Sequence, residues 1–599
     1  MKRGIVIFIL ILTLVFASAC SSVFRGKTAD KAELPAVSDY SELVGLLADM
    51  GISRQMYYVG REMLETTADS VKSTEAGAAN QANDSDYSGT NVQVEGVDEA
   101  DIIKTDGRYI YYVNMNRIVI VEAYPAATMK VLKSIEFTET DFYPSEIYLN
   151  GKYLVVIGSK YYYYPMPMPE ATEGSTDEAE GSGSGSSPGT APDESDADKS
   201  EYGDDAYDSG YTSKMMPYYR GKDTVSVLIY DVEDPAAAKL VRTFETDGYY
   251  VSSRMIGTEL YLVSNKYIYV YSEEPDEEDI LPWYRDSIEG DDFVAVGYDS
   301  IKYFPDSQES SYLIIAGLDL DSINSEVNIQ AFLGSGQTVY ASENNLYVTI
   351  SKWEYEYLET ETVTDTDKTE DEINDKTETD TGFSIMIPYT SNVTTRIYRF
   401  SLDKGKAVFS AQGEVPGSLL NQFSMDEHDG YFRIATTTGD TWRNDEFTSR
   451  NNLFVLGGNL AIVGKIENIA PGERIYSVRF MGDRGYMVTF KTVDPLFVLD
   501  LKDPANPSVL GELKIPGYSG YLHPYGDDYI IGFGMDTVEA RIVDEKGNVY
   551  GETVYQLGMK VAMFDVSDVS NPIEKFAMKI GDSGTYSEIL YNHKSLVFS

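Results

Sequence analysis

Cysteine is almost missing from this chain: Cys20 is the only one in 599 residues. No intramolecular disulfide can form, and thiolate metal sites and a Cys-Xaa-Xaa-Cys redox centre are excluded. Histidine is nearly as scarce, with only His428, His523 and His593. Two of these lie in or beside predicted hairpin turns and His523 precedes one. Turns of different repeats would keep them apart, so a three-histidine metal site is not expected. Basic residues are outnumbered, 48 against 97 acidic, for a formal charge of −49. Phosphates would be repelled, which argues against nucleic acid as a partner. A phosphate-binding glycine loop and a His-Glu-Xaa-Xaa-His helix are missing, and the Gly-Xaa-Ser-Xaa-Gly match at residues 185–189 lies in a Gly- and Ser-rich insert, not at the strand-to-helix turn of a nucleophile elbow. Carboxylates are too numerous for composition to single out a pair for glycoside cleavage.

What is present begins at the N-terminus. Lys2 and Arg3 precede an almost wholly apolar run over residues 4–16, followed by Ala17-Ser18-Ala19-Cys20. A basic start, an apolar run and small residues before a cut site describe a secretory signal. The run is shorter than the roughly 20 residues of a membrane-spanning helix. The small residues ahead of Cys20 resemble the lipobox of bacterial lipoproteins, with Ala17 standing where Leu is more usual. That resemblance implies cleavage after residue 19 and acylation of Cys20. More than one acyl chain suffices for stable anchoring. The expectation is an extracytoplasmic protein held to the membrane by lipid.

Residues 20–37 are small and polar and read as a tether. Residues 38–50 read as a helix, with Ser38 as a candidate cap and Leu43, Val44, Leu46 and Leu47 on one face. A second helical stretch is expected near residues 54–64. Residues 66–91 read as a linker.

From about residue 92 the pattern changes to short runs of β-branched and aromatic residues between Gly, Asn and Asp turns, as in an all-β repeat architecture. Eight hairpin turns recur, at Asp106-Gly107, Asn150-Gly151, Gly257-Thr258, Asn344-Asn345, Asp429-Gly430, Asp483-Arg484-Gly485, Gly526-Asp527 and Asn592-His593. Asn and Gly tolerate the positive φ of tight hairpin turns. Downstream of several hairpins an apolar strand ends in an acidic turn, as in Tyr230-Asp231-Val232, Leu499-Asp500-Leu501 and Phe564-Asp565-Val566. Two hairpin strands plus this pair make four strands per unit, which predicts a β-propeller of four-stranded blades. Eight blades are expected, with seven as the alternative. The eighth unit stops two strands short, so the chain is expected to be a fragment. Inserts over residues 169–212 and 354–381 are expected to be disordered acidic loops. A third, over residues 273–309, carries Trp283 and other aromatics and is expected to be partly ordered. The inserts are expected between second and third strands, crowding one face.

The segment Thr90-Asn91-Val92-Gln93-Val94-Glu95-Gly96-Val97-Asp98-Glu99-Ala100-Asp101 and its continuation to Gly107 closely resembles the opening of a bacterial and archaeal family. These are secreted proteins with a C-terminal β-propeller distantly related to WD repeats. The resemblance continues to Tyr586-Ser587-Glu588 and His593-Lys594. It implies a propeller and export, and it implies no particular activity.

Asp98, Glu99, Asp101 and Asp106 form the sharpest carboxylate cluster, without the spacing of an EF-hand loop. Close carboxylates suit a hard cation such as Ca²⁺; the structural alternative is turn capping where the first blade begins. Tyr161, Tyr162, Tyr163 and Tyr164 with Met166 and Met168, and then Met215, Met216, Tyr218 and Tyr219, flank the first insert. Three readings of this group stand: the base of an aromatic hairpin, an adaptable contact surface, and thioether binding of Cu(I). No cofactor is required by any motif. The leading functional expectation is a binding or scaffold module for an envelope protein or glycan. The rivals are an extracytoplasmic hydrolase acting on glycan or peptide with carboxylates near the channel, and a Ca²⁺-stabilised structural component.

Overall fold

The second strand of a repeat is apolar at consecutive positions, not at alternate ones. In Leu154-Val155-Val156-Ile157 all four side chains are fully buried. Successive side chains point to opposite faces of a strand, so burial at every position requires a neighbouring layer on both faces. Leu154 and Val156 pack with Tyr111, Ile118 and Ile120 of the preceding repeat. Val155 and Ile157 pack with Leu260, Leu262 and Leu318 of the following one. A sheet sandwiched between its predecessor and successor is a propeller blade.

The computed structural model describes residues 34–50, 89–138, 141–165, 219–268, 275–304, 309, 311–358, 387–491, 494–543 and 549–597. Among them, seven sheets follow one another along the chain, each with a core of four antiparallel strands. Sheet 1 comprises Ile103–Thr105, Tyr109–Asn114, Arg117–Glu122 and Lys130–Glu136. Sheet 2 comprises Phe142–Asn150, Tyr153–Pro165, Tyr219–Asp231 and Lys239–Asp247. Sheet 3 comprises Tyr249–Ile256, Glu259–Tyr267, Ser311–Asp319 and Asn328–Leu333. Sheet 4 comprises Thr338–Ala341, Asn345–Leu358, Ile387–Asp403 and Lys406–Pro416. Sheet 5 comprises Met425–His428, Tyr431–Thr438, Arg450–Leu456 and Ile462–Ile469. Sheet 6 comprises Arg474–Met481, Arg484–Phe490, Asp494–Asp500 and Ser508–Ile515. Sheet 7 comprises Tyr518–Tyr525, Tyr529–Val543, Val549–Asp565 and Ile573–Ile580. Apolar clusters fill the six spaces between successive sheets.

The eighth hairpin expected at Asn592-His593 is not formed. That stretch holds two 3₁₀ turns, Glu588–Leu590 and His593–Ser595. The inserts do leave each sheet between its second and third strands. The third insert is ordered in part: Trp283–Asp286 pairs with the outer strand of sheet 2, and Ile301–Tyr303 pairs in parallel with the outer strand of sheet 3. Residues 166–218 and 359–386, which hold most of the other two inserts, lie outside the described residues, as do the expected signal sequence, Cys20, the expected second helical stretch and most of the expected linker.

The helix spans Tyr40–Asp49, and its cap is Asp39 rather than Ser38. The Asp39 carboxylate accepts from the Glu42 backbone N–H at 3.0 Å, while the Glu42 side chain accepts from the Ser38 N–H at 2.8 Å. This reciprocal pair satisfies two amides at the helix start. Leu43 and Leu47 are buried against Ile268, Ile280 and Tyr312. The last residues of the expected tether are anchored too: Leu34 and Val37 are buried, and Val37 N–H donates to Ile301 O.

Candidate functional site

The first strand of each sheet carries a polar or ionisable side chain near its end, among apolar neighbours. These are Lys104, Tyr148, Arg254, Tyr340, Asp426, Arg479 and His523. Six of the seven are nearly or fully buried, Asp426 being partly exposed. A buried polar group is costly unless it finds a partner, and partners come from two places. One is residues 89–101, which lead into sheet 1. The other is the 3₁₀ turn Gln422–Ser424.

The lead-in segment is tied to several sheets at once. Val97 and Asp98 pair with Ile256 and Met255 at the end of the first strand of sheet 3. Asn91 Nδ2 donates to Tyr521 Oη (3.2 Å) and to His593 O (3.1 Å). Gln93 Nε2 donates to Gln422 O and Met425 O (3.0 and 3.1 Å). Arg479 donates to Gln93 O at 3.4 Å. Arg254 donates to Ser252 Oγ and Ser253 O, both at 2.6 Å, to Val339 O at 3.2 Å, and to Gln422 Oε1.

The four carboxylates expected as a cation cluster go to different partners. Asp98 Oδ1 accepts from Lys104 Nζ at 2.7 Å. Glu99 is buried: Oε1 accepts from the Gln93 N–H at 3.1 Å, and Oε2 lies 3.3 Å from His593 Nε2. Asp101 is buried and accepts from its neighbour Ile102 N–H at 2.7 Å. Asp106 sits in the first hairpin turn and accepts from Arg108 and Tyr109 N–H groups at 2.9 and 2.7 Å. Asp106 is thus a turn former. Among the described residues no three of His, Cys, Asp and Glu converge as a metal cage.

The electrostatics of this centre follow from burial, from the cations Arg254 and Lys594, and from His593. Burial pushes the Glu99 carboxyl up, but Arg254, His593 and Lys594 together hold it well below the usual carboxylate range. Burial lowers His593 below its ordinary value against the pull of Glu99. Burial, with the charges of Arg479 and His593, takes His523 down to about 4. Asp101 goes the other way. Burial raises it to about 6, with Glu146 adding to the rise and Lys594, the Ile102 N–H and Lys104 opposing it. Lys594 Nζ donates to Glu146 Oε1 (2.7 Å) and Ala100 O (2.6 Å). Asp98, Asp101, Lys104, Tyr124, Lys594 and Val597 help line a groove there. Of the carboxylates around it, Asp98 and Glu146 accept directly from lysines.

The two ends of the sheets differ in chemistry. The end bearing first-to-second-strand turns and third-to-fourth-strand loops is built from Gly, Asn and Asp. That end exposes Tyr124 and Tyr525, while the other end exposes Tyr143, Tyr249, Tyr267, Trp353, Trp442 and Tyr555. Tyr249 and Tyr267 form a ring pair with centroids 5.9 Å apart. Trp442 is 77% exposed and backed by the Arg443 guanidinium, which also lies over Phe447 and pairs with Asp445. Of the expected Tyr and Met group, Tyr161 to Tyr164 lie on the second strand of sheet 2 and Tyr219 opens its third strand. Met166, Met168, Met215, Met216 and Tyr218 lie outside the described residues. Arg254, Arg479 and Gln422 were not singled out from sequence; a lone basic residue inside an apolar strand was the available signal for the arginines.

The chain resembles known proteins along most of its length. An uncharacterised protein of Methanocaldococcus jannaschii is 31% identical over 573 residues, covering 86% of this chain and 73% of that protein. An uncharacterised protein of Archaeoglobus fulgidus is 28% identical over 556 residues, covering 85% and 74%. Among solved structures, a hypothetical selenium-binding protein of Sulfolobus tokodaii matches with a TM-score of 0.27 at 13% identity, covering 61% of this chain and 80% of that one. The model of one family, the beta propeller domain, matches residues 87–599, and the chain belongs to that family.

Proposed function

We propose that this propeller is a binding module of the cell envelope, exported and held by lipid on Cys20, that takes a glycan or a protein on its aromatic face. One observation carries the reading: six exposed aromatic side chains lie at one end of the sheets against Tyr124 and Tyr525 at the other, with Tyr249 and Tyr267 paired and Trp442 braced by Arg443. Large planar groups held in place bury much surface at little cost in conformational entropy. Lysine contacts on Asp98 and Glu146 support binding over hydrolysis. Propellers serve many functions, so the ligand class rests on the face and not on the fold.

The test is retention of the purified protein on envelope fragments, before and after protease treatment of the fragments. Trp442→Ala with Trp353→Ala should weaken retention by at least about thirtyfold, the scale of an interface hot spot. Retention that survives protease assigns a glycan, and retention that disappears assigns a protein. Unchanged retention by the double variant would sink the proposal.

A further inference from the structure

A buried guanidinium is costly unless acceptors surround it, because it carries several N–H donors and a charge it cannot shed. Among the described residues four arginines are buried: Arg242, Arg254, Arg433 and Arg479. Three of them are well partnered. Arg242 clamps the Asp286 carboxylate and donates to Ile323 O at 2.7 Å. Arg433 clamps the Asp426 carboxylate and donates to Gly482 O at 2.6 Å. Arg254 reaches Ser252, Ser253, Val339 and Gln422. Arg479 differs. Among the described residues its one hydrogen bond is to Gln93 O, at 3.4 Å, and its Nε donates to nothing.

The groups around Arg479 are also mostly donors. Its guanidinium lies over the Phe423 ring, 5.5 Å from the centroid, and the His593 ring stands edge-on to the same ring at 5.8 Å. Gln422 and Ser424, on either side of Phe423 in the 3₁₀ turn, are fully buried. Arg254 donates to Gln422 Oε1, which fixes the amide and leaves Nε2 as a donor without an acceptor among the described residues. Ser424 Oγ and His593 Nδ1 are likewise unpartnered there. Acceptors are fewer: Asn91 Oδ1, and Glu99 Oε2, which faces His593 Nε2 at 3.3 Å. The carboxylates whose charge reaches Arg479 are engaged elsewhere, Asp426 by Arg433 and Glu99 by Arg254, His593 and Lys594. Burial accordingly lowers the Arg479 guanidinium below its ordinary value.

Donors that lack acceptors, gathered at a cation that lacks a counter-charge, have the chemistry of an anion site. We infer that the centre seats a small monovalent anion, of the size and charge of chloride, held by Arg479 Nε, Gln422 Nε2 and Ser424 Oγ with His593 beside it. A single charge matches the single unanswered guanidinium, and full burial of Gln422 and Ser424 suits an ion without bulk. The ion joins the first strand of sheet 6 to the 422–424 turn, so its binding is linked to folding.

Chloride and bromide are the probes. The full chain is exchanged into gluconate, and chloride is then added at constant ionic strength. Above its dissociation constant, each tenfold rise in chloride should raise the folding equilibrium constant roughly tenfold, read as a rising urea midpoint. Arg479→Met should abolish this dependence. Ser424→Ala keeps the charge and removes one donor, and should demand roughly tenfold more chloride for the same midpoint. Crystals grown in bromide should show an anomalous peak in contact with Arg479 Nε. A water at that position overturns the proposal, as does a chloride dependence that both variants retain. A bromide peak with no chloride dependence marks an adventitious ion only and overturns it too.

Discussion

Arg254→Met removes one charge from the centre while keeping most of the side chain's length. Arg254 is buried and its guanidinium reaches four acceptors from sheets 3 and 4 and the Gln422 turn. It is also the foremost cation holding the buried Glu99 in its charged form. Breaking a buried charge arrangement from one side costs about 3–5 kcal/mol, because the remaining charge loses its compensation. The assay is equilibrium unfolding in guanidinium chloride, where a stability change moves the midpoint at unchanged slope. The pH dependence supplies a sharper check. With its carboxyl held below the ordinary value of 4.5, Glu99 contributes stability that is present above that pH and lost as pH falls through the lower, folded value. In Arg254→Met, burial is opposed only by His593 and Lys594, so the carboxyl moves up from its wild-type position and the loss of stability on acidification sets in at a higher pH. Arg254→Met with Glu99→Gln should recover most of the loss, since removing both charges leaves no unpaired one. A single variant that loses under about 1 kcal/mol, or a double variant no more stable than the single, refutes the account of the centre.

Asp101, raised to about 6 by burial from an ordinary 3.8, destabilises the fold when ionised: its contribution is present below pH 3.8 and lost as pH rises through about 6. Asp101→Asn should therefore be more stable than wild type at pH 8 by on the order of 2–3 kcal/mol and equal to it near pH 3.5, measured by unfolding at both pH values. Gly464→Ala should cost about 1–3 kcal/mol, because the added methyl meets the Pro504 carbonyl across the junction of sheets 5 and 6. Gly458→Ala, where the nearest atom is the Arg399 guanidinium at 3.9 Å, is the matched control and should leave the unfolding midpoint within error.

The hairpin turns, the four-strand unit and the insert positions were legible in the sequence because each depends on local chemistry. Asn and Gly mark tight turns wherever they occur, and an apolar run such as Leu154-Val155-Val156-Ile157 needs cover on both faces in any setting. The eighth hairpin was legible as a pattern, yet residues 588–590 and 593–595 form 3₁₀ turns, with Ile589 packed on Phe533 and Met559. The helix cap moved by one residue, from Ser38 to Asp39, because a carboxylate one position later reaches the Glu42 amide.

The sequence by itself determined the kind of unit, its four strands and its repetition, since strand burial and turn geometry follow from neighbouring residues. It also placed Glu99 and Asp101 in one acidic cluster. Only the tertiary structure separated them. Arg254, brought from far along the chain, keeps Glu99 charged, while burial moves Asp101 toward neutrality. The same holds for Arg479, one basic residue among many in the sequence. Its meaning comes from burial against Phe423, with the carboxylates near it already engaged by Arg254 and Arg433. Charge and packing act through space, and the partners that decide them here lie in different sheets.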